Sequence, residues 1–583
     1  MGVDPRLVVF LGCLTTMLAA GSVYAFGIYA QDLKNSLSLT QQDVQTVASI
    51  GNVGLYCGII AGVTYDKFGS RKTAIIGTVI ASVGYLLAWL RTQQAASLAS
   101  PTIDLSLYFA IAWNGGAFLD CAAVTTAGKL FPASRGLSVG IIKSFFGLSS
   151  SVLSQFYLAF FDSKATPSSS PSSNTSAVAC PGGEPPPSTN SSFLTTRGLF
   201  ADDVGARASS YSVPFLFLLC IYTLVIGAVA AMTLTEKYND STIRAPQLQR
   251  LNKAYLCVGS LAAYLAVSAA LEHTFPASAA LNVGTFCGML MVLMPLVACF
   301  VVATKPDAGE GEANINNNNN NSSNHNNNDP DVVADITAGG DSAESKSGRV
   351  REWTTCATIT SLDFYLLWLA HFCGTANGLF FLNNVAQIEQ SMGGTKASSA
   401  LYVSIAGVFN AFGRMAAGYF SDRYASKISR PLFFTISLAT MSIGQVSMVL
   451  FPGTTFLYVA GAIIGFTYGT FWALIPPMTI ELFGEKHVGL NYQLLGLAPA
   501  AGSVLANVVL ASNVYQAHAI AGSTLCCGTS CFETTHIVLS GVALVGIVSS
   551  LCVHLRTRSF YQSQHRGRGG DYAELDIADG DAE

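Results

Sequence analysis

The chain has 583 residues, 51% of them hydrophobic and only 11% charged, and its formal net charge is −4. A soluble protein carries about 25% charged residues, so this composition excludes a water-soluble globular domain and points to a polytopic membrane protein. The net charge says nothing about partners; the placement of the lysines and arginines says more.

Runs of about 20 apolar residues predict spanning helices near 6–30, 43–65, 73–90, 104–128, 136–160 and 211–233. Two more follow near 252–272 and 280–303. Six again lie at 361–385, 397–420, 431–450, 455–477, 488–512 and 533–556. The expected fold is an all-α polytopic membrane protein of about 14 spans. It divides into a first six-helix half over 1–233, two linking helices over 234–303 and an Asn-rich cytoplasmic linker without fixed structure over 304–360. A second six-helix half covers 361–556, and 557–583 is a cytoplasmic tail. The first run is too long for a signal-peptide core and no small-residue cleavage site follows it.

Orientation follows from the basic residues. Of the 30 lysines and arginines, 22 fall on one set of alternate segments and 6 on the other, with Lys143 and Arg414 inside helices. The richer side is cytoplasmic, and both termini are expected there. The loop over 161–210 then faces outward. It is rich in Ser and Pro and carries Asn174-Thr-Ser and Asn190-Ser-Ser, two glycosylation acceptors. Cys526, Cys527 and Cys531 share the last outward loop, a setting that permits a disulfide. The plasma membrane is the expected location, with an endosomal or vacuolar membrane as the alternative; Tyr572-Ala-Glu-Leu575 fits a tyrosine-based sorting signal.

Two short polar stretches repeat. Gly62-x-x-x-Asp66-Lys67 runs on through Gly69 to Arg71 and Lys72 and closes the second helix. Gly418-x-x-x-Asp422-Arg423 closes another helix about 350 residues later, with Arg414 before it and Lys427 and Arg430 after. Glycine lets two helices approach closely, and Gly69 allows the positive φ of a sharp reversal. An acid at a helix end with bases opposite suits a joint that locks and unlocks packed helices. This pattern resembles the signature loop of the major facilitator superfamily, which follows the second helix of each half. Ser70 departs from it, standing where that family has a base; Arg71 and Lys72 are the expected substitutes.

Phe131-Pro-x-x-Arg135-Gly-Leu-Ser-Val-Gly140-Ile-Ile-Lys143 and Asp363-Phe-x-Leu-Leu-x-Leu-Ala-x-Phe-Cys-Gly374 resemble the nodulin-like branch, as does Ser22-Val-Tyr-x-Phe-Gly-Ile-Tyr29. The resemblance implies two halves rocking around a midplane cavity, and a monocarboxylate-transporter-like activity.

An ionisable residue inside a span is a functional hypothesis. Lys143 lies eight residues past Arg135 and Asp120 nine before Lys129, so both sit about 12–13 Å from the same surface and are placed to pair. Lys143 reads as an anion attractor with Asp120 as its proton-sensitive counter-charge, or the two form a structural pair. His371 lies about 15 Å into its helix, with Asn377 six residues on. Tyr24, Asn52, Asn114, Gln445 and Asn507 are further polar candidates for the cavity wall, or helix-to-helix contacts. No phosphate-binding glycine loop, zinc-spaced Cys/His set or catalytic constellation stands out. The expectation is a monomeric secondary transporter, not an enzyme, with no cofactor, metal or nucleic acid, moving a small-molecule substrate with a proton through a lipid bilayer. Amino acids or metal ions are alternative cargoes, and a non-transporting receptor is an alternative class.

Overall fold

Inside a hydrocarbon layer only a helix or a closed barrel satisfies every backbone N–H and C=O. The computed structural model of this chain is helical, with one isolated bridge, Ala519 to Cys526, among the described residues. It describes residues 4–37, 39, 41–93, 100–160, 212–234, 245–274, 279–301, 352–393, 396–425, 427–520 and 526–580. The loop with Asn174 and Asn190 and most of the Asn-rich linker lie outside these.

The first crossing is α1 (Pro5–Ala20) and α2 (Phe26–Ser36), joined by a 3-10 turn over Gly21–Ala25. Pro5 suits the first turn, where no helical partner awaits its missing N–H, and Asp4 Oδ1 accepts Arg6 N at 2.9 Å. α3 (Gln41–Tyr56) and α4 (Ile59–Gln93) follow. The apolar run Asp43–Gln93 has 51 residues, about 76 Å of helix and more than twice a bilayer core. It reverses at Gly69, whose φ is 77°, a region open to glycine at little cost. The run therefore supplies the second and third crossings.

α5 (Pro101–Leu130), α6 (Arg135–Phe160) and α7 (Ser212–Thr233) complete the first half. α8 (Ala245–Thr274) and α9 (Ala279–Val301) are the extra pair. After the short α10 (Thr355–Thr360), the second half comprises α11 (Leu362–Ser391), α12 (Lys396–Arg423), α13 (Arg430–Leu450) and α14 (Thr454–Phe483). Its fifth crossing is α15 (Val488–Ser503) with a π stretch and α16 (Ser512–Ala517); its last is α17 (Glu533–Gly580). Among the described residues twelve runs are long and apolar enough to cross a membrane. One of them is the double Asp43–Gln93, and the 28-residue α12 adds another. The architecture is thus two six-helix halves plus two, as the sequence predicts. One boundary differs. The segment after Arg556, expected as a tail, continues α17 to Gly580; no proline follows Arg556 to stop the helix.

The halves meet where α6 lies along α12 and α15 along α4. α8 and α9 pack against α6, and α8 also against α12.

Candidate functional site

The repeated Gly-x-x-x-Asp stretches end two helices that meet the opposite half. A helix start exposes four unbonded amides, and His487 before α15 provides no side-chain cap. Asp66, from α4, takes that role: Oδ1 accepts Gly489 N and Oδ2 accepts Leu490 N, each at 2.9 Å. Asp422, at the end of α12, does the same for α6, accepting Gly136 N at 3.0 Å and Leu137 N at 2.6 Å. A carboxylate at a helix N-terminus is also favoured by the helix dipole.

The glycines make this approach possible. A Cβ on Gly62 would stand 2.6 Å from Gly489 O, and one on Gly418 would stand 2.4 Å from Gly136 O. Both joints bind one half to the other, so the protein is closed on this side. Around Asp422 the chain adds a charge network. Arg430 Nη2 reaches Asp422 Oδ1 at 2.6 Å, and its Nε reaches both oxygens of Glu481 at 2.9 and 3.0 Å. Arg430 also bonds Ser421, and Tyr561 donates to Glu481 at 3.1 Å. Arg135 bonds Glu485 nearby. Lys67, Arg71 and Arg423 are exposed, whereas Ser70 is buried.

Deeper in, α3, α5, α6, α12, α14, α15 and the turn at Tyr24 line a small cavity. Lys143 Nζ donates to Asp120 Oδ1 at 2.6 Å and to Tyr492 Oη at 2.8 Å; Tyr492 Oη donates to Asp120 Oδ2 at 2.8 Å. The three groups close a buried triangle. The Trp472 ring lies 5.1 Å from Lys143 Nζ and stacks on Tyr56 from the first half at 5.7 Å.

Arg414, grouped with the joint on sequence grounds, lies in this cavity instead. It is only 1% exposed. Its Nε donates to Asn410 Oδ1 at 2.8 Å and Nη1 to the Lys143 carbonyl at 2.6 Å. Asn410 precedes it by one helical turn, which is why the pair shares a face. Arg414 has no carboxylate partner among the described residues.

The structure therefore brings Asp120, Lys143, Tyr24 and Arg414 to one space. His371 is behind that wall, edge-on to Trp472 at 5.4 Å, with Nδ1 unbonded. Asn377 is buried and bonds the Cys373 carbonyl at 2.8 Å. Asn114, Asn507 and Gln445 join helices: Asn114 to Gly54 O, Asn507 to Asn384, Gln445 to His536. Asn52 is half-buried and lies off the cavity. Tyr492, Trp472 and Gln493 were not singled out from sequence; a lone aromatic or amide in an apolar run carries no distinguishing signal. Of the three cysteines expected to face outward, Cys526 is bonded to Cys531, and Cys527 is disulfide-bonded as well. Among the described residues no group of three or more His, Cys, Asp or Glu is placed to hold a metal.

Two family models match, Nodulin-like over residues 6–169 and the NFD4 C-terminal domain over residues 347–563. The protein NUCLEAR FUSION DEFECTIVE 4 of Arabidopsis thaliana is 25% identical, covering 97% of this chain and 92% of that one. Probable transporter MCH1 of Gibberella zeae is 23% identical over 88% of this chain and 81% of its own length. The oxalate:formate antiporter of Oxalobacter formigenes is 31% identical over 24% of this chain and 34% of that protein. Among solved structures, the proton:xylose symporter XylE is 12% identical with a TM-score of 0.52, covering 94% of both chains. FucP in its outward conformation is 12% identical with a TM-score of 0.51, covering 94% of this chain and 99% of that one. Fold and matches together define a multi-pass membrane transporter of the major facilitator type. Within that superfamily residues 6–169 are similar to the nodulin-like family.

Proposed function

We propose that the protein carries a small organic anion, a monocarboxylate by preference, together with a proton. The observation that supports this reading is the buried Lys143–Asp120–Tyr492 triangle beside an arginine that has no acid partner among the described residues. A proton arriving on Asp120 cancels its charge and releases Lys143 Nζ. Lys143 and Arg414 are then two cations in a low-dielectric space, and an unpaired buried charge is costly. A substrate carboxylate replaces Asp120 as their partner, and the guanidinium fork suits it geometrically. One proton and one monoanion enter together, so the charge of the cavity is the same empty and loaded. Loss of the proton on the other side restores the Lys143–Asp120 pair and expels the anion. One relative is named for oxalate and formate, both carboxylates.

In this reading the joints at Asp66 and Asp422 clasp the cytoplasmic side while the cavity loads from outside, and they release it for unloading. They hold α15 and α6, the helices that carry Tyr492 and Lys143. His371 acts through Trp472, and Asn377 supports the same helix. Both termini are cytoplasmic, Asn174 and Asn190 carry glycans, and the monomer works in the plasma membrane.

The test is uptake of labelled pyruvate into proteoliposomes with an imposed pH gradient. Wild type should concentrate pyruvate when the outside is acidic. Asp120→Asn should bind it but lose the gradient drive, and Lys143→Ala should lose uptake. Absence of uptake by a folded wild type would overturn the monocarboxylate reading. Gradient-driven uptake that survives Asp120→Asn would remove the proton role from Asp120.

A further inference from the structure

A second cavity lies wholly within the second half, at the end away from the joints. It is bounded by the last turn of α11, the end of α13, the first turns of α17 and the loop closed by the Cys526–Cys531 disulfide. Met448 in its wall stands 18 residues along α13 from Arg430, about 27 Å from the Asp422 joint.

Among the described residues its polar side chains are Ser391, Thr529, Glu533 and His536, rich in acceptors and without a cation. His536 is 3% exposed, and its Nδ1 faces Gln445 Oε1 at 2.6 Å. An amide oxygen only accepts, so Nδ1 carries the proton and Nε2 is left as a bare lone pair. That Nε2 is buried without a hydrogen-bond partner while the residue lines the cavity. Glu533 precedes His536 by three residues on α17, which puts both on one helical face, one turn apart. Its carboxylate is at the exposed mouth. The Ser391 hydroxyl donates to Ile388 O at 2.7 Å and presents its lone pairs. Among the described residues no lysine or arginine lines the space; Met392, Met448 and Phe532 give it apolar walls.

A carboxylate, a lone-pair imidazole and hydroxyls accept hydrogen bonds and offer few in return. An anion finds no counter-charge here, in contrast to the Lys143 cavity, and a buried acceptor left unmade is expensive. We propose that this cavity is a binding site for an organic ammonium ion with a short apolar body. Its N–H groups pair with Glu533 and His536 Nε2, and its body lies against Met392, Met448 and Phe532. The loop backbone is tied to α11 by Gly528 N on Ser391 O at 2.8 Å, so the wall on the Phe532 side is held in place. Because every wall belongs to one half, occupancy does not depend on rocking.

The experiment is calorimetric titration of the full-length protein in nanodiscs with 2-phenylethylammonium, and with 3-phenylpropanoate as the anionic counterpart. The ammonium should bind saturably and the carboxylate should not compete with it. Glu533→Gln, at an exposed position, should weaken binding about tenfold, the size of one charge-assisted hydrogen bond. His536→Gln should weaken it further. Lys143→Ala and Asp120→Asn should leave it unchanged, which separates this site from the central cavity and from the transport reading. No saturable binding, binding undiminished by Glu533→Gln, or binding lost with Lys143→Ala would overturn the proposal.

Discussion

The two joints share one geometry and differ in charge. In each, an aspartate four residues after a glycine caps the first turn of a helix in the other half. Around Asp422 stands a buried set, Arg430 at the start of α13 and Glu481 near the end of α14, tied by three bonds of 2.6 to 3.0 Å. The matching places in the first half hold Ser70, just past the turn at Gly69, and Lys129 near the end of α5. Ser70 Oγ is buried without a partner, and Lys129 Nζ sits 5.0 Å over the Tyr65 ring. Arg71 and Lys72 do not substitute: both are exposed, and Lys72 lies over Phe68 at 5.6 Å. One joint is therefore a cap with a single lysine, Lys129, near its aspartate but not bonded to it, the other a cap inside an ion network. Removing Arg430 would leave two buried carboxylates uncompensated, so the second joint is the more brittle. The first is the natural place for opening to begin.

That asymmetry can be broken by substitution. Arg430→Ala leaves Asp422 and Glu481 as two buried carboxylates without their shared cation; it should cost about 3–5 kcal/mol, read as a lower unfolding midpoint of the purified protein. Gly418→Ala or Gly62→Ala places a methyl against backbone at 2.4 or 2.6 Å and should cost about 1–3 kcal/mol of the closed arrangement. Alkylation of cysteines introduced at the joint face should rise in both, and equally. Asp66→Ala loses the caps and one of the carboxylates facing Lys129, with Glu485 remaining, but breaks no ion pair, so about 1–2 kcal/mol is expected; a loss matching Arg430→Ala would sink the comparison. Arg71→Ala should change stability by no more than about 0.5 kcal/mol, and a larger loss by the same midpoint would restore Arg71 as the substitute for the missing base.

Much of the fold was legible because a bilayer imposes length. Apolar runs of helical length mark the crossings, and Gly69 announces its reversal by residue type. Asp120 and Lys143 were also legible: equal distances from the shared α5–α6 turn put them at equal depth, and they meet at 2.6 Å. Arg414 was not. Its four-residue spacing from Gly418 drew it toward the joint, but α12 turns its side chain inward onto Asn410 and the Lys143 carbonyl. The Asp66 and Asp422 caps were invisible for a different reason. Their partners lie 423 and 286 positions away, and they are backbone amides, which leave no mark on residue type.

Sequence alone sets the class of solvent, the apolar runs that cross it, the repeated joint and one buried ion pair. Each follows from hydrophobic length, charge scarcity and spacing along a single helix or hairpin. Tertiary structure decided which half each aspartate holds, that Tyr492 closes the Lys143–Asp120 pair, and that Arg414 faces the cavity. Those contacts join residues hundreds of positions apart, and only the packing of one half on the other sets their distances.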